Sequence, residues 1–241
     1  MAKPFEEWTV LPHGKLQRVD EGLLSVTGLL QMPPMGEVPR RMTVVRLRDG
    51  RLVIYSAIAL DEDEMAALED FGAPAFLIVP GSIHRMDAKP WKQRYPSLTV
   101  IAPAGARKKV EEAVPVDATD VDFDDPSVRF VAIPGTDQLE GALLVERESG
   151  TTLVLNDLIF NLANRPGFTG WLFKTIGMTG QEPHIPAPIR LREVKDKAAV
   201  ATQLEGWARL PRLKRVIISH GEIIAESPAR VLVRIAEELR T

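Results

Sequence analysis

Apolar and polar positions along this chain follow two rhythms. Up to about residue 60 they come in short apolar runs, at 8–11 and 22–30, then in two β-rich runs at 41–48 and 51–58. Asp49-Gly50 between the last two is a two-residue hairpin signal. Within that hairpin Arg46 and Arg48 share one face and Val45 and Leu47 the other, which suits a sheet with one wetter side.

From residue 61 the spacing changes. Asp61 is placed to cap a helix with Glu64 at the reciprocal position, and Met65, Leu68 and Phe71 supply the apolar stripe. The pattern then predicts a strand at 75–79, a helix at 87–94, a strand at 98–101, a helix at 105–113, and strands at 128–133, 141–147 and 151–155. Ser149-Gly150 makes a hairpin of the last two. A helix at 193–210, a strand at 215–219 and a helix at 228–239 complete the expectation. Strands in two batches with interleaved helices pack as layers of sheet with helices outside. No repeat or low-complexity linker divides residues 1–241, so one domain is expected.

Residues 161–190 break the rhythm with four prolines, four glycines and the apolar cluster Phe168, Trp171, Leu172, Phe173, Ile176 and Met178. Two readings stand. The segment is a short helix packed on the body or on a second subunit, or it is a lid over a cleft beside Asp157.

Composition narrows the classes. The 241 residues are 45% apolar, enough for a substantial core, and carry a net charge of −3 with no basic patch, so nucleic acid is not expected as a partner. The absence of cysteine excludes disulfides, thiolate metal sites and cysteine nucleophiles. No run approaches a membrane span, and residues 1–7 lack the apolar stretch of a signal peptide, so a cytoplasmic protein is expected.

Three residues are placed as candidate ligands. His84, Asp157 and His220 each follow an apolar run closely. Imidazole and carboxylate held at rigid strand ends are what zinc-type ions take, and three of them with water as the fourth ligand make an open, catalytic kind of site. Plainer readings exist for each. His84 alone suits a hydrogen-bonded structural histidine, Asp157 suits a cap for a helix starting near Leu158, and His220-Gly221 suits an ordinary turn. His13 reads as a solvated turn histidine, and His184 as a surface histidine able to swing toward a site. There is no Gly-x-Ser-x-Gly elbow, phosphate-binding glycine loop or dinucleotide fingerprint. Ser219-His220 is no dyad, because strand neighbours point to opposite faces.

The order of elements, with these short motifs, resembles the metallo-β-lactamase-fold superfamily over residues 20–240, in a branch whose metal-binding motif is degenerate. The resemblance implies an α/β (α+β) fold, a four-layer αββα sandwich of two mixed sheets flanked by helices. Its main motif is Thr-His-x-His-x-Asp-His. With Val79 at the threonine, Pro80 and Ser82 take the first two histidines, His84 the aspartate and Arg85 the last histidine. Slid by two residues, Ser82 and His84 take the first pair, Met86 the aspartate and Asp87 the last histidine. In the Pro-Gly-His motif Thr136 replaces the histidine, whereas Asn156-Asp157-Leu158-Ile159-Phe160 matches Gly-Asp-x-x-Phe and Ser219-His220 the final Gly-His.

A dinuclear centre needs ligands on both sides of a bridging water, with ions about 3.5–4 Å apart. His84, Asp157 and His220 support one divalent ion at most, zinc or else iron or manganese. Arg85 would oppose it by charge or pair with Asp157. The implied function is a hydrolase-like protein acting on an ester, amide or phosphate. The alternative is a metal-free binding or structural protein in which Arg85, Asp157 and His220 grip a small or anionic ligand. A third reading is a homo-oligomeric module associating through Phe168, Trp171 and Phe173.

Overall fold

The computed structural model describes residues 3–32, 36–164 and 166–241, with the backbone alone of Phe168 and Thr169. The chain opens with β1 (Gln17–Asp20), β2 (Leu23–Met32), β3 (Gly36–Arg46) and β4 (Arg51–Tyr55), then α1 (Glu62–Phe71), β5 (Ala73–Ile78), α2 (Ala88–Arg94), β6 (Thr99–Ile101) and α3 (Arg107–Val110). It continues with β7 (Val128–Ala132), β8 (Gly141–Arg147), β9 (Gly150–Asn161), α4 (Gly167–Thr175), α5 (Ala187–Arg192), α6 (Lys197–Ala208), β10 (Leu213–Gly221) and α7 (Pro228–Arg240).

Two mixed sheets result. One runs β1-β2-β3-β4-β5-β6, antiparallel up to β4 and parallel beyond; the other runs β10-β9-β8-β7, with β10 and β9 parallel. Val45, Val53, Tyr55 and Ile78 of the first sheet meet Leu143, Val145, Val154 and Ile217 of the second in a shared inner core. Outside, Met65, Leu68 and Trp91 pack on the first sheet, and Leu204, Trp207, Leu232 and Ile235 on the second. The layers are therefore helix, sheet, sheet, helix, as expected.

Local chemistry explains most elements. Asp61 caps α1 by accepting from the Glu64 amide at 2.9 Å, and Asp196 caps α6 by accepting from the Ala199 amide at 3.0 Å. Gly50 turns the β3–β4 hairpin at φ +87°. α7 starts on Pro228 and buries Leu232, Ile235, Ala236 and Leu239 at helical spacing.

Several expectations are corrected. Residues 8–11 form no strand. β3 begins well before residue 41 and contains Pro39; β4 pairs only with residues 43–46, so a missing amide at Pro39 costs no ladder bond to β4. The helix expected at 193–210 starts only at Lys197, as α6, and a short helix, α5, precedes it where none was expected. No helix starts near Leu158, because β9 runs on to Asn161 and Asp157 lies inside a strand. β9 is buried along almost its whole length between β8 and β10, so no alternating pattern marks its extent.

Candidate metal centre

Three separate segments converge at one end of the sandwich. His84 lies in the loop between β5 and α2. Asp157 leaves the β9 ladder because residues 156–159 bulge opposite the single residue Ser219, the pairing passing from Ile218↔Leu155 to His220↔Phe160. His220 is the penultimate residue of β10, its ring 4.5 Å from that of Phe160.

The three side chains meet at their tips. His84 Nε2 is 3.1 Å from Asp157 Oδ1 and 3.1 Å from His220 Nε2, and His220 Nε2 is 3.0 Å from Asp157 Oδ1. A tetrahedral ion with bonds of about 2.0–2.1 Å sets its ligand atoms about 3.3 Å apart, so the cluster has nearly the spacing of a bound ion's ligands. The outer ring nitrogens are also held. His220 Nδ1 lies 2.7 Å from the Pro39 carbonyl, and His84 Nδ1 lies 2.7 Å from Ser56 Oγ. A carbonyl only accepts, so His220 carries its hydrogen on Nδ1, and in the neutral ring Nε2 presents a lone pair. This nitrogen faces a carboxylate oxygen, a contact that requires a proton or an ion between them.

Asp157 is held in place by hydrogen bonds behind it. Glu140 Oε2 accepts from the Asp157 amide at 3.2 Å, and Glu140 Oε1 accepts from Asn156 Nδ2 at 3.2 Å. Ser219 Oγ donates to Asn156 Oδ1 at 2.8 Å, so the two strands are tied just below the site. Burial alone would raise the Asp157 carboxyl, but the charge of His84 and the hydrogen bonds from both histidines outweigh it and hold the group well below the usual carboxylate range.

Glu140 and Glu193 behave oppositely. Burial, then the charge of Asp157, pushes both upward, Glu140 strongly. Glu193 Oε2 is buried without a hydrogen-bond partner. With Asp157 they offer three oxygens within 4.8 Å of one another. For acids raised in the folded state, the retained proton stabilises the fold at low pH. That contribution is lost as pH climbs from the ordinary carboxylate range through the raised values. Glu193→Gln removes one of these crowded carboxyls and brings an uncharged donor in its place. It is expected to flatten the alkaline decline and to exceed the parent at pH 9 by about 1–3 kcal/mol, with little difference at pH 5. Urea unfolding at both pH values reads this, and parallel declines would refute it.

Other expectations find their places. Arg85 does not pair with Asp157; it donates to the Ser82 carbonyl at 2.7 Å and to Glu112 at 3.2 Å. Thr136 bonds the Ile133 carbonyl within its own turn. His13 is not solvated, since its side chain is 5% exposed and Nε2 accepts from the Asp61 amide at 3.0 Å. The His184 ring lies against the carbonyls of Gly177 and Glu182, away from the three ligands. Ser56, Glu140 and Glu193 escaped sequence reading. Ser56 is buried at φ +58°, a conformation that non-glycine residues adopt seldom and mostly where structure or function imposes it.

The site opens into a cavity of 330 Å³ that also receives Phe173, Ile176 and Met178 from the irregular segment. Phe173 is buried there, whereas Trp171 is 58% exposed; the Phe168 side chain lies outside the described residues. Two wider grooves, of 880 and 1060 Å³, touch none of the three candidate ligands. Among the described residues no helix is long and apolar enough to cross a membrane.

No protein-family model matches the sequence, and no curated protein matches it. Solved structures do. The metallo-β-lactamase FIM-1 from Pseudomonas aeruginosa, in its mono-zinc form, superposes with a TM-score of 0.62 at 14% identity, covering 95% of this chain and 96% of that one. The metallo-β-lactamase DIM-1, exposed to ceftazidime, gives 0.64 at 14% identity, covering 95% and 99%. A metallo-β-lactamase from Hirschia baltica gives 0.62 at 13% identity, covering 93% and 98%. At such identities the likeness speaks for architecture, and the architecture is the metallo-β-lactamase fold.

Proposed function

We propose that His84, Asp157 and His220 hold a single divalent metal ion, zinc before iron or manganese, and that the protein is a metal-dependent hydrolase of a small molecule. The observation that carries this reading is the convergence of His84 Nε2, His220 Nε2 and Asp157 Oδ1 within 3.1 Å of one another, with His220 Nδ1 committed to the Pro39 carbonyl. Metal-bound histidines are oriented in this way, by a backbone acceptor on the outer nitrogen. A bound ion would polarise a carbonyl or phosphoryl oxygen and activate water. The chain's own contribution is placement. Pro39 and Ser56 fix the two rings, and Glu140 fixes the Asp157 backbone through the bulge. The turn of Arg85 toward Glu112 leaves the centre free of an opposing cation. FIM-1, of the same fold, is described in a mono-zinc form.

A second reading has its own support. The three short contacts equally suit a metal-free cluster in which protons on the histidines supply the positive charge. Elemental analysis of protein purified without chelator separates the two. One ion per chain is expected, with affinity reduced at least 10–100-fold in His220→Ala by zinc titration. Metal-free protein that stays folded and takes up no added zinc, iron or manganese would sink the metal reading.

A further inference from the structure

The cavity above the three candidate ligands has an unusual balance of charge. Its walls are apolar, with Leu30, Val38, Ile83, Phe160, Phe173 and Ile189 among them, and the methionines Met32, Met86 and Met178 add adaptable apolar surface. Among the described residues, every charged side chain that borders it faces an opposite charge. Arg40 is paired with Asp87, and Arg192 with Glu193 Oε1. His84 and His220 face Asp157. Among the described residues the one hydroxyl on its wall, Ser56 Oγ, is engaged with His84 Nδ1. Arg40 Nε has no partner but is itself buried out of reach, so beyond the floor no described wall residue offers an accessible uncommitted charge to a second polar group of a ligand.

We infer that the molecule bound here is a carboxylic ester whose acyl part is an uncharged, apolar chain, with the carbonyl at the floor and the chain along the cavity. This rests on the proposed hydrolytic site for the carbonyl end, but the chain end rests on the cavity walls alone. In the reaction, water oxygen bonds to the acyl carbon and the bond from that carbon to the alkoxy oxygen breaks. One water proton goes to the departing alcohol and the other to solvent as the acid ionises. A volume of 330 Å³ is at the low end for small-molecule pockets of about 300–1,000 Å³, which suits a short or medium chain rather than a long lipid. A charged tail would have to be desolvated against Phe160 and Ile189, both buried, without a counter-charge.

The test uses product-like probes on the full chain, loaded with zinc: acetate, butyrate, hexanoate and octanoate, with adipate as the tail-charged counterpart of hexanoate. Calorimetric affinity is expected to rise about four-fold per methylene until the cavity is full. Adipate is expected to bind at least ten-fold more weakly than hexanoate. Ile176→Asn, at the partly exposed rim, should cut the gain from butyrate to hexanoate while leaving acetate affinity unchanged. Repeating the series on zinc-free protein separates this inference from the metal reading. Loss of the ion lowers all affinities together, whereas the chain-length slope persists. A flat series, or adipate binding as tightly as hexanoate, overturns the apolar acyl assignment whatever the metal content.

Discussion

Asp87→Ala is expected to remove about 3–5 kcal/mol of folding stability, the usual cost of stripping one partner from a buried ion pair. Asp87 is 1% exposed and Arg40 is 7% exposed. The Arg40 guanidinium reaches both Asp87 oxygens, and Asp87 Oδ1 also accepts from the Ala59 amide at 3.0 Å. One carboxylate thus ties β3, the segment after β4 and the start of α2, the three pieces that frame His84. Alanine would leave a guanidinium buried without a counter-ion, with its Nε already lacking a partner. The double replacement Arg40→Met with Asp87→Leu removes both charges and fills the space, so most of the loss should be recovered. Urea unfolding with unchanged slope reads both effects. A loss below about 1 kcal/mol for the single variant would mean that the guanidinium finds water after all.

Gly221→Ala should cost a similar amount and damage the site as well. Gly221 ends β10 at φ +110°, and a Cβ there would lie 2.1 Å from the Asn161 carbonyl oxygen and 2.4 Å from its carbon. Neither atom is the end of a flexible side chain, so the strands must part. The left-handed backbone cost of about 1–2 kcal/mol adds to an overpacking cost of about 1–3 kcal/mol. The Gly221 carbonyl also accepts from Arg41 Nη2 at 2.8 Å, a bond that reaches back to the other sheet. His220 is the preceding residue, so zinc affinity is expected to fall at least ten-fold although no ligand is changed. Gly206→Ala is the comparison. It lies within α6, where a Cβ meets only Gln203 Nε2 at 3.9 Å, and a gain of about 0.5–1 kcal/mol is expected. Equal stability of the two alanine variants would contradict this account.

How much was legible in the sequence follows from how local each signal is. The cap of α1 and the hairpin at Asp49-Gly50 depend on contacts a few residues apart, and they fell where the pattern placed them. The late start of α6 at Lys197, the early start of β3 and the extension of β9 through Asp157 did not. Each is imposed by a neighbour distant in the chain. Lys195 and Asp196 donate to the Gly135 carbonyl at 2.8 and 3.0 Å, and β9 is prolonged by β10 on one side and the His184 backbone on the other. The solvated reading of His13 failed for the same reason, since its partner is the Asp61 amide 48 residues away.

The candidate site divides along the same line. By itself the sequence determined that His84, Asp157 and His220 were the residues to watch, because each stands close to the end of a strongly apolar run. Only the tertiary structure decided that these three, 73 and 136 residues from His84 in the case of Asp157 and His220, meet within 3.1 Å. It also decided that Arg85 turns away to Glu112, and that Glu140, Ser56 and Pro39 are what hold the ligands in place. The physical reason is that strand formation and capping are driven by nearest-neighbour spacing along the chain. The direction of a side chain at a strand end is set by the bulge of one strand against the next, and that is a property of the pair.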